Sequence, residues 1–229
     1  MTLSPLEQRL TRLKSEPLDQ EDPRAKALAA KRKAQAWYMA QDKAGTDQEE
    51  LGFGWSSLAD LVLDQGLAQA WWAKGMERRT KKLAPDGTVP GLFILGLGKL
   101  GGQDLNFSSD VDLVAFYEPD LVPVLPFEGK TDVCSRVLRN LNSLLDGHKT
   151  GDFAWRIDWR LRPDPSVTDL AMSTEAGLDY FFFHSPPWRR LAMMKARVVA
   201  GDLEAGQRFL KELHPFIWKR SLDFRSIDE

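Results

Sequence analysis

The sequence predicts an α+β fold in which a small mixed β-sheet is flanked by N- and C-terminal helices. Three strand-like segments lie in the middle of the chain: an apolar run that ends in glycines at 91–98, a segment rich in β-formers at 111–117, and a strictly alternating segment at 153–162. Helix-favouring segments lie on both sides, and one helical segment at 132–146 separates the second strand from the third. This order differs from the regular strand–helix alternation of a doubly wound sheet.

Residues 1–88 are predicted to form a polar N-terminal arm followed by a helical segment. The arm contains three prolines within its first 23 residues, and residues 24–40 are rich in Ala and Lys, which favour a helix. We expect a loop at 41–54 and a second helix that begins at Ser56 or Ser57, where a serine precedes an apolar stretch. The segment 81–90 contains Pro and Gly in a turn-like order and ends this part of the chain.

Residues 89–201 are predicted to form the core domain. In its third strand, the apolar side chains of Trp155, Ile157 and Trp159 alternate with polar ones, including Asp158. Period-two alternation indicates one face on a core and one polar face. Helices are expected at 174–183, at 188–196 and from 202 onward, so residues 202–229 form the start of a C-terminal helical region that is cut short.

Composition limits the classes of protein to consider. The chain has 229 residues, with 31 Lys and Arg against 33 Asp and Glu, and this balance disfavours a dedicated duplex-DNA binder. The single cysteine, Cys134, lies among apolar residues at helical spacing and is predicted to be an inert core thiol. The N-terminus lacks the apolar segment of a secretory signal and no stretch is long enough to span a membrane, so a cytoplasmic location is expected.

Candidate functional residues lie between the first two strands. Gly101 and Gly102 allow backbone N–H groups to approach phosphate oxygens closely. Asp110 and Asp112 are two residues apart at the start of a strand, so their carboxylates point to one face. The earlier glycines Gly96 and Gly98 do not form a dinucleotide-binding fingerprint, because a polar stretch and another strand follow in place of a crossover helix.

Three carboxylates would converge if the third strand lies beside the second. Asp158 would then join Asp110 and Asp112, an arrangement suited to two Mg²⁺ ions and to phosphoryl or nucleotidyl transfer. The same features have plainer explanations, because a glycine pair is often only a turn and an aspartate between Arg156 and Arg160 is often a surface ion pair. The conjunction of these features in one order favours the functional interpretation.

Five motifs in a fixed order resemble the glutamine synthetase adenylyltransferase/adenylyl-removing enzymes, members of the DNA polymerase β-type nucleotidyltransferase superfamily. They are GKLGG at 98–102, NFSSDVDL at 106–113, RLRP at 160–163, STEA at 173–176 and KARVVAGD at 195–202. The resemblance implies a nucleotidyltransferase core with a polymerase β-like fold. The motifs at 106–113 and 173–176 are more similar to the N-terminal, adenylyl-removing half of that family than to the adenylylating half.

The resemblance also implies roles for individual residues. Asp110, Asp112 and Asp158 would be the catalytic carboxylates that hold Mg²⁺, with Asp158 also orienting or deprotonating the nucleophile. Gly101, Gly102 and Ser109 would contact the phosphates of the nucleotide. Arg160 and Arg162 would be phosphate or transition-state partners, and Lys195 and Arg197 are weaker candidates whose alternative is a solvated helix face.

The activity that the resemblance implies is removal of AMP from a tyrosine of glutamine synthetase by phosphorolysis, which gives ADP, or addition of AMP from ATP to that tyrosine. Inorganic phosphate, ATP and ADP would be substrates or products, and a PII-type regulatory protein is a further implied partner. Neither nucleic acid nor a membrane is expected as a partner.

Three departures from the family pattern keep an alternative open. Trp159 stands where a smaller apolar residue is usual, the segment 184–187 is unusual, and Arg189 stands where the pattern has Glu. The alternative is a catalytically weak, truncated fragment that only binds glutamine synthetase or a PII-type regulator. A polymerase β-like enzyme that acts on nucleic acid is a third and less favoured reading.

Overall fold

The computed structural model describes residues 23–73, 76, 88–145 and 154–219. The predicted N-terminal arm therefore lies outside the described residues, as do most of the predicted turn at 81–90, residue 153 of the predicted third strand and the chain beyond residue 219. Within the described part of the chain, no helix is long and apolar enough to cross a membrane.

Two long helices precede the sheet, α1 at Pro23–Lys43 and α2 at Gln48–Trp71. Helix α2 begins well before the predicted start, because Asp47 caps it by accepting a hydrogen bond from the backbone N–H of Glu49 at 3.0 Å. The serines that suggested a cap lie inside the helix. Ser56 and Ser57 donate their hydroxyls to the carbonyls four residues earlier, which satisfies them within helical backbone.

Among the described residues the sheet has five strands, two more than the sequence predicts. In chain order they are β1 at Leu92–Gly96, β2 at Val111–Tyr117, β3 at Ile157–Asp158, β4 at Ala171–Ser173 and β5 at Arg197–Gly201. β1 pairs antiparallel with both β2 and β5. β3 and β4 both pair parallel with the other edge of β2, β3 near its start and β4 near its end. The sheet is thus mixed, as predicted.

The predicted long third strand is wrong in length, because only Ile157 and Asp158 form a strand. The carboxylate of Asp158 accepts a hydrogen bond from the backbone N–H of Arg160 at 2.8 Å. This turn within the chain takes the place of a further backbone hydrogen bond between β3 and β2. The predicted faces are confirmed for Trp155 and Trp159, which are buried, and for Arg156 and Arg160, which are exposed. They are wrong at the two ends, because Ala154 is buried and Leu161 packs on the opposite hydrophobic cluster.

The remaining helices surround the sheet. They are α3 at Gly98–Gly101, α4 at Lys130–Leu145, α5 at Thr174–Asp179 with a π-helical turn at Tyr180–His184, α6 at Trp188–Met193, and α7 at Leu203–Ile217. Helix α4 matches the prediction closely. Helix α7 begins where Asp202 accepts a hydrogen bond from the N–H of Ala205.

Two hydrophobic clusters cover the two faces of the sheet. Leu92 and Ile94 of β1 join the cluster that includes α2 and α4, whereas Phe93 and Leu95 join the cluster that includes α7. Alternate residues of a strand point to opposite faces, and each such fully buried side chain contributes about 1.5–3 kcal/mol to folding. The predicted N-terminal helical segment therefore packs directly on the predicted core; the boundaries at 88 and 201 stay predictions.

Candidate active site

The pairing of β2 with β3 brings two of the candidate carboxylates together. In this parallel pair Val111 is the register partner of Ile157, and Asp112 is the register partner of Asp158. The N–H of Val111 donates to the carbonyl of Arg156 at 2.9 Å, which fixes the register at the residue before Asp112. Neighbouring strands are about 4.8 Å apart, so the two side chains lie side by side.

Asp110 precedes β2 directly and forms an ion pair with Arg156. The Nε of Arg156 donates to Asp110, and its second nitrogen donates to the carbonyl of Ser108 at 2.6 Å. Arg156 thus connects the strand that carries Asp158 to the loop before β2. Both side chains of the pair are about half exposed, so the contact orients Asp110 more than it stabilises the fold.

Asp158 is held by its own turn. Arg160 donates through Nε to both carboxylate oxygens at 3.0 and 2.8 Å, while the side chain of Arg160 remains 85% exposed. These hydrogen bonds lower the pKa of Asp158, because they favour its ionised form. The exposed guanidinium stands at the edge of the carboxylate group, where an anionic ligand could reach it.

The pKa of Asp112 is raised, first by burial and then by the negative charges of Asp158 and Asp110. The three carboxylates are thus close enough to repel one another. A glycine makes room for the most buried of them: Gly98 has a φ of +52°, and a Cβ there would lie 2.8 Å from a carboxylate oxygen of Asp112.

The donor set fits a hard divalent cation, since it consists of carboxylate oxygens whose mutual repulsion a cation would relieve. As the side chains stand, no group of three or more acidic, His or Cys residues within the described ranges is arranged to hold a metal ion. Two of the three carboxylates form ion pairs instead, Asp110 with Arg156 and Asp158 with Arg160. Metal binding would need the two arginine side chains to move, and both are long and solvent-accessible.

The structure requires glycine at one of the two positions after β1, Gly101, and not at the other, Gly102. A Cβ on Gly101 would lie 2.1 Å from the carbonyl oxygen of Lys195 and 2.6 Å from that of Gly96, so only glycine allows this backbone approach. A Cβ on Gly102 would meet only side-chain atoms of Lys195 and Asp104, and the residue is exposed. Gly102 is therefore the one whose backbone a ligand could approach.

Ser109 lies between the glycine turn and Asp110 in space. Its hydroxyl donates to the amide oxygen of Asn106 and accepts a hydrogen bond from the Nζ of Lys99 at 3.4 Å. Lys99 is exposed and belongs to the short helix α3. Its ammonium group adds a positive charge beside Ser109, the residue before Asp110.

Other predicted phosphate partners are engaged in structural contacts. Arg162 donates to the carbonyls of Trp159, Pro165 and Thr168 and so holds the loop after β3; its contact with a phosphate stays a prediction. Arg197 begins β5, where it forms a two-point ion pair with Asp60 of α2.

Lys195 differs from these two because its side chain is exposed, and its Nζ forms an ion pair with Asp104 at 3.1 Å. Neither Lys195 nor Arg197 lies on a helix. The solvated helix face that the sequence offered as their alternative is therefore wrong.

Arg189, the departure from the family pattern, is buried in the structure. Its side chain donates to the carbonyl of Leu161, in the loop that follows Asp158, and its guanidinium stacks 4.3 Å from the ring centre of Trp188. The substituted residue therefore supports the loop after β3 and does not disrupt it.

The site includes residues that the sequence pattern does not single out. Lys99 appears in the motif at 98–102 but has no periodicity or pairing that marks it, and Arg156 was expected beside Asp158 but contacts Asp110. Helix α1 also contributes, because Lys31 and Gln35 line a cavity next to Ser109. Only the three-dimensional packing of α1 reveals this last contribution.

Comparison with known proteins agrees with the geometry. Residues 2–212 match the model of the glutamate-ammonia ligase adenylyltransferase family. Three similar curated proteins are each named a bifunctional glutamine synthetase adenylyltransferase/adenylyl-removing enzyme. The proteins from Mesorhizobium japonicum and Rhizobium meliloti are 47% and 46% identical to this chain, and the matches cover 60% and 61% of this chain and 14% of each relative. The protein from Caulobacter vibrioides is 40% identical over 79% of this chain and 19% of the relative.

The chain thus spans between 14% and 19% of the length of these relatives. The family match covers well over half of the chain and includes every residue of the candidate site. The chain belongs to the glutamate-ammonia ligase adenylyltransferase family.

Proposed function

We propose that this chain carries a Mg²⁺-dependent nucleotidyltransferase site that controls glutamine synthetase by removing AMP from, or adding AMP to, one of its tyrosines. The observation that carries the proposal is the register of β2 and β3, which sets Asp112 beside Asp158 while Asp110 precedes it by two residues. Neighbouring carboxylates repel one another, so three of them at the start of β2 and in β3 cost free energy when no cation is bound. Such a cluster is expected where a cation and a phosphate ligand supply the compensation.

Asp110, Asp112 and Asp158 would hold Mg²⁺, two ions by analogy with the superfamily. When bound, the metal would neutralise charge on the phosphoryl oxygens and favour in-line displacement. Asp112 is central to the group, because the other two carboxylates both raise its pKa. Asp110 and Asp158 would exchange contacts with Arg156 and Arg160 for contacts with the cation, which leaves those guanidinium groups available to phosphate oxygens.

The nucleotide phosphates would lie between the glycine turn and the exposed Arg160. Gly102 offers its backbone, while Gly101 shapes the turn by its approach to Lys195. Ser109 and Arg162 are further candidate phosphate contacts carried by the family motif. Lys99 adds a positive charge beside Ser109, suited to an oxygen of the leaving or attacking group.

In the removing direction, an oxygen of inorganic phosphate attacks the phosphorus of the AMP on tyrosine. A new P–O bond forms, the bond between phosphorus and the tyrosine oxygen breaks, and the products are ADP and a free tyrosine, whose oxygen takes up a proton. Asp158 would share the metal and would orient the attacking oxygen or take up its proton. In the adding direction the tyrosine oxygen attacks the α-phosphorus of ATP.

We favour the adenylyl-removing direction on the strength of the motifs at 106–113 and 173–176. Glutamine synthetase is the proposed protein substrate, and a PII-type protein is a proposed regulator. The alternative is a catalytically weak fragment that only binds glutamine synthetase or a PII-type regulator. Arg189, on which that alternative partly rests, contacts the loop after Asp158 through its hydrogen bond to the carbonyl of Leu161.

Release of ADP from adenylylated glutamine synthetase tests the proposal. The assay contains inorganic phosphate and Mg²⁺ and compares the unaltered chain with Asp110→Asn/Asp112→Asn. A matched control is Asp120→Asn, which removes an exposed carboxylate just beyond the end of β2 opposite to Asp110. We expect phosphate-dependent release that falls at least about a thousandfold in the first variant and is unchanged in the control.

A parallel reaction with ATP and unmodified glutamine synthetase reports the direction. AMP incorporation without ADP release would assign the adding reaction to the same carboxylates. A folded chain that binds glutamine synthetase but shows neither reaction would contradict the nucleotidyltransferase proposal and favour the binding fragment.

A further inference from the structure

A cavity lies directly beside the three carboxylates of the candidate site. It has a volume of about 170 Å³ and is lined on one side by Ser109 and Arg156, the neighbours of Asp110, and on the other by residues of α1. Pockets that enclose whole drug-sized ligands have volumes of roughly 300–1,000 Å³. A cavity of this size accommodates one planar ring system and not a complete nucleotide.

Aromatic side chains form much of the cavity. Trp155 is buried, and Phe107 is 38% exposed and lines the opening. The ring centre of Phe107 lies 5.2 Å from that of Trp55, on which it stacks, and 5.5 Å from that of Tyr38. These two rings hold Phe107 in position. An exposed aromatic ring held rigid in this way is a platform on which a base can stack, at little cost in conformational entropy.

Two polar side chains from α1 complete the cavity. Lys31 and Gln35 are one helical turn apart, so they point to the same side of α1. The Nζ of Lys31 lies 5.8 Å from the centre of the Trp155 ring, and Lys31 is only 9% exposed. The amide of Gln35 can donate and accept at once, which matches the N6 and N7 edge of adenine, while a lysine donates to ring nitrogens.

We propose that this cavity is the nucleobase subsite, in which the adenine ring stacks on Phe107 and forms hydrogen bonds with Gln35. The inference rests on the proposed nucleotidyltransferase function and adds the residues that select the base. It assigns α1 a direct role in substrate recognition. The phosphates would bind at the glycine turn, and the base would lie between Ser109 and α1. The cavity and the carboxylates share Arg156 and Ser109 as a common wall, which places the two subsites within one nucleotide's length.

Isothermal titration of the full chain with ADP and with inorganic pyrophosphate, both with Mg²⁺, tests the subsite. The two ligands share the phosphate chain, and only ADP, the product of the favoured direction, has a base. We expect ADP to bind the unaltered chain at least about tenfold more tightly than pyrophosphate. Gln35→Leu and Phe107→Leu should each weaken ADP binding by about fivefold to fiftyfold and leave pyrophosphate binding unchanged.

A matched control is Gln207→Leu, the same change at an exposed position on α7, which packs on the other face of the sheet. It should bind both ligands as the unaltered chain does. Equal affinity of the unaltered chain for the two ligands would overturn the subsite, and so would equal weakening of both ligands in Gln35→Leu, which would make the cavity a phosphate site. Absence of binding by either ligand would instead contradict the proposed function itself.

Discussion

Substituting the first glycine of the turn after β1 should destabilise the protein strongly. In Gly101→Ala the new Cβ would lie 2.1 Å from the carbonyl oxygen of Lys195, which is 0.9 Å inside the 3.0 Å that Cβ atoms essentially never cross. The carbonyl of Gly96 lies 2.6 Å away on the other side. Both obstacles are backbone atoms, so the turn cannot avoid them by rotating a side chain.

The cost follows from what must move. Overpacking a rigid site costs typically about 1–3 kcal/mol, and here α3 must separate from the segment before β5 by nearly 1 Å. The gain in helix propensity from Gly to Ala is at most about 1 kcal/mol and does not offset this cost. We expect a loss of about 1–3 kcal/mol, or a melting temperature lower by about 2–12 °C, for a chain of this size.

Gly102→Ala is the matched control, because the same methyl group there meets only the flexible ends of Lys195 and Asp104. Its melting temperature should lie within about 2 °C of that of the unaltered chain. If the backbone of Gly102 approaches a phosphate as proposed, this variant should nevertheless bind ATP several-fold more weakly. Thermal unfolding followed by circular dichroism measures the first effect and calorimetric titration the second.

A Gly101→Ala variant as stable as the unaltered chain would refute the reasoning, since the close approach to Lys195 would then not exist. Equal destabilisation by both substitutions would also refute it, because the distinction between backbone and side-chain obstacles would have no effect.

Three further predictions concern other parts of the domain. Arg197→Met should lower the free energy of unfolding by about 2 kcal/mol in urea denaturation, because it leaves the half-buried Asp60 without the guanidinium that it now contacts at two points. Cys134 is buried with its pKa raised to about 12, so iodoacetamide at pH 8 should modify it at least about a hundredfold more slowly in the native protein than in guanidinium chloride. Asp112→Asn should raise the melting temperature at pH 7 in EDTA, because the folded-state pKa of Asp112 is raised and its ionised form opposes folding. This gain should shrink as the pH falls below the raised pKa and disappear at the ordinary pKa of an aspartate. A variant less stable than the unaltered chain at pH 7 would contradict the prediction.

The sequence predicts the elements that have a clear local signal. The strand at 111–117 and helix α4 follow from β-formers and from helical spacing, and both lie where expected. The alternation around Asp158 predicts the faces correctly from Trp155 to Arg160, but it predicts too long a strand, because the Asp158 carboxylate accepts the N–H of Arg160. Strands β4 and β5 are short and hydrogen-bonded to distant partners, so their stability comes from pairing with β2 and β1 and not from local preference.

The same distinction applies to the site. Asp110, Asp112 and Asp158 can be selected from spacing, and the register of β2 with β3 shows where they lie. The role of Gly101 in backbone packing, the engagement of Arg162 with loop carbonyls and the cavity on α1 all depend on contacts between segments far apart in the chain. Such contacts have no periodicity, which is why no pattern in one sequence predicts them.

Binding of Mn²⁺, as a paramagnetic substitute for Mg²⁺, tests the central claim most directly. Electron paramagnetic resonance measures free Mn²⁺ in the presence of ATP, with the unaltered chain, with Asp112→Asn and with the control Asp120→Asn. We predict that the chain raises the amount of bound Mn²⁺ above that held by ATP alone, that Asp112→Asn abolishes this increase, and that Asp120→Asn preserves it. Equal Mn²⁺ binding by the unaltered chain and by Asp112→Asn would contradict a metal site at these carboxylates.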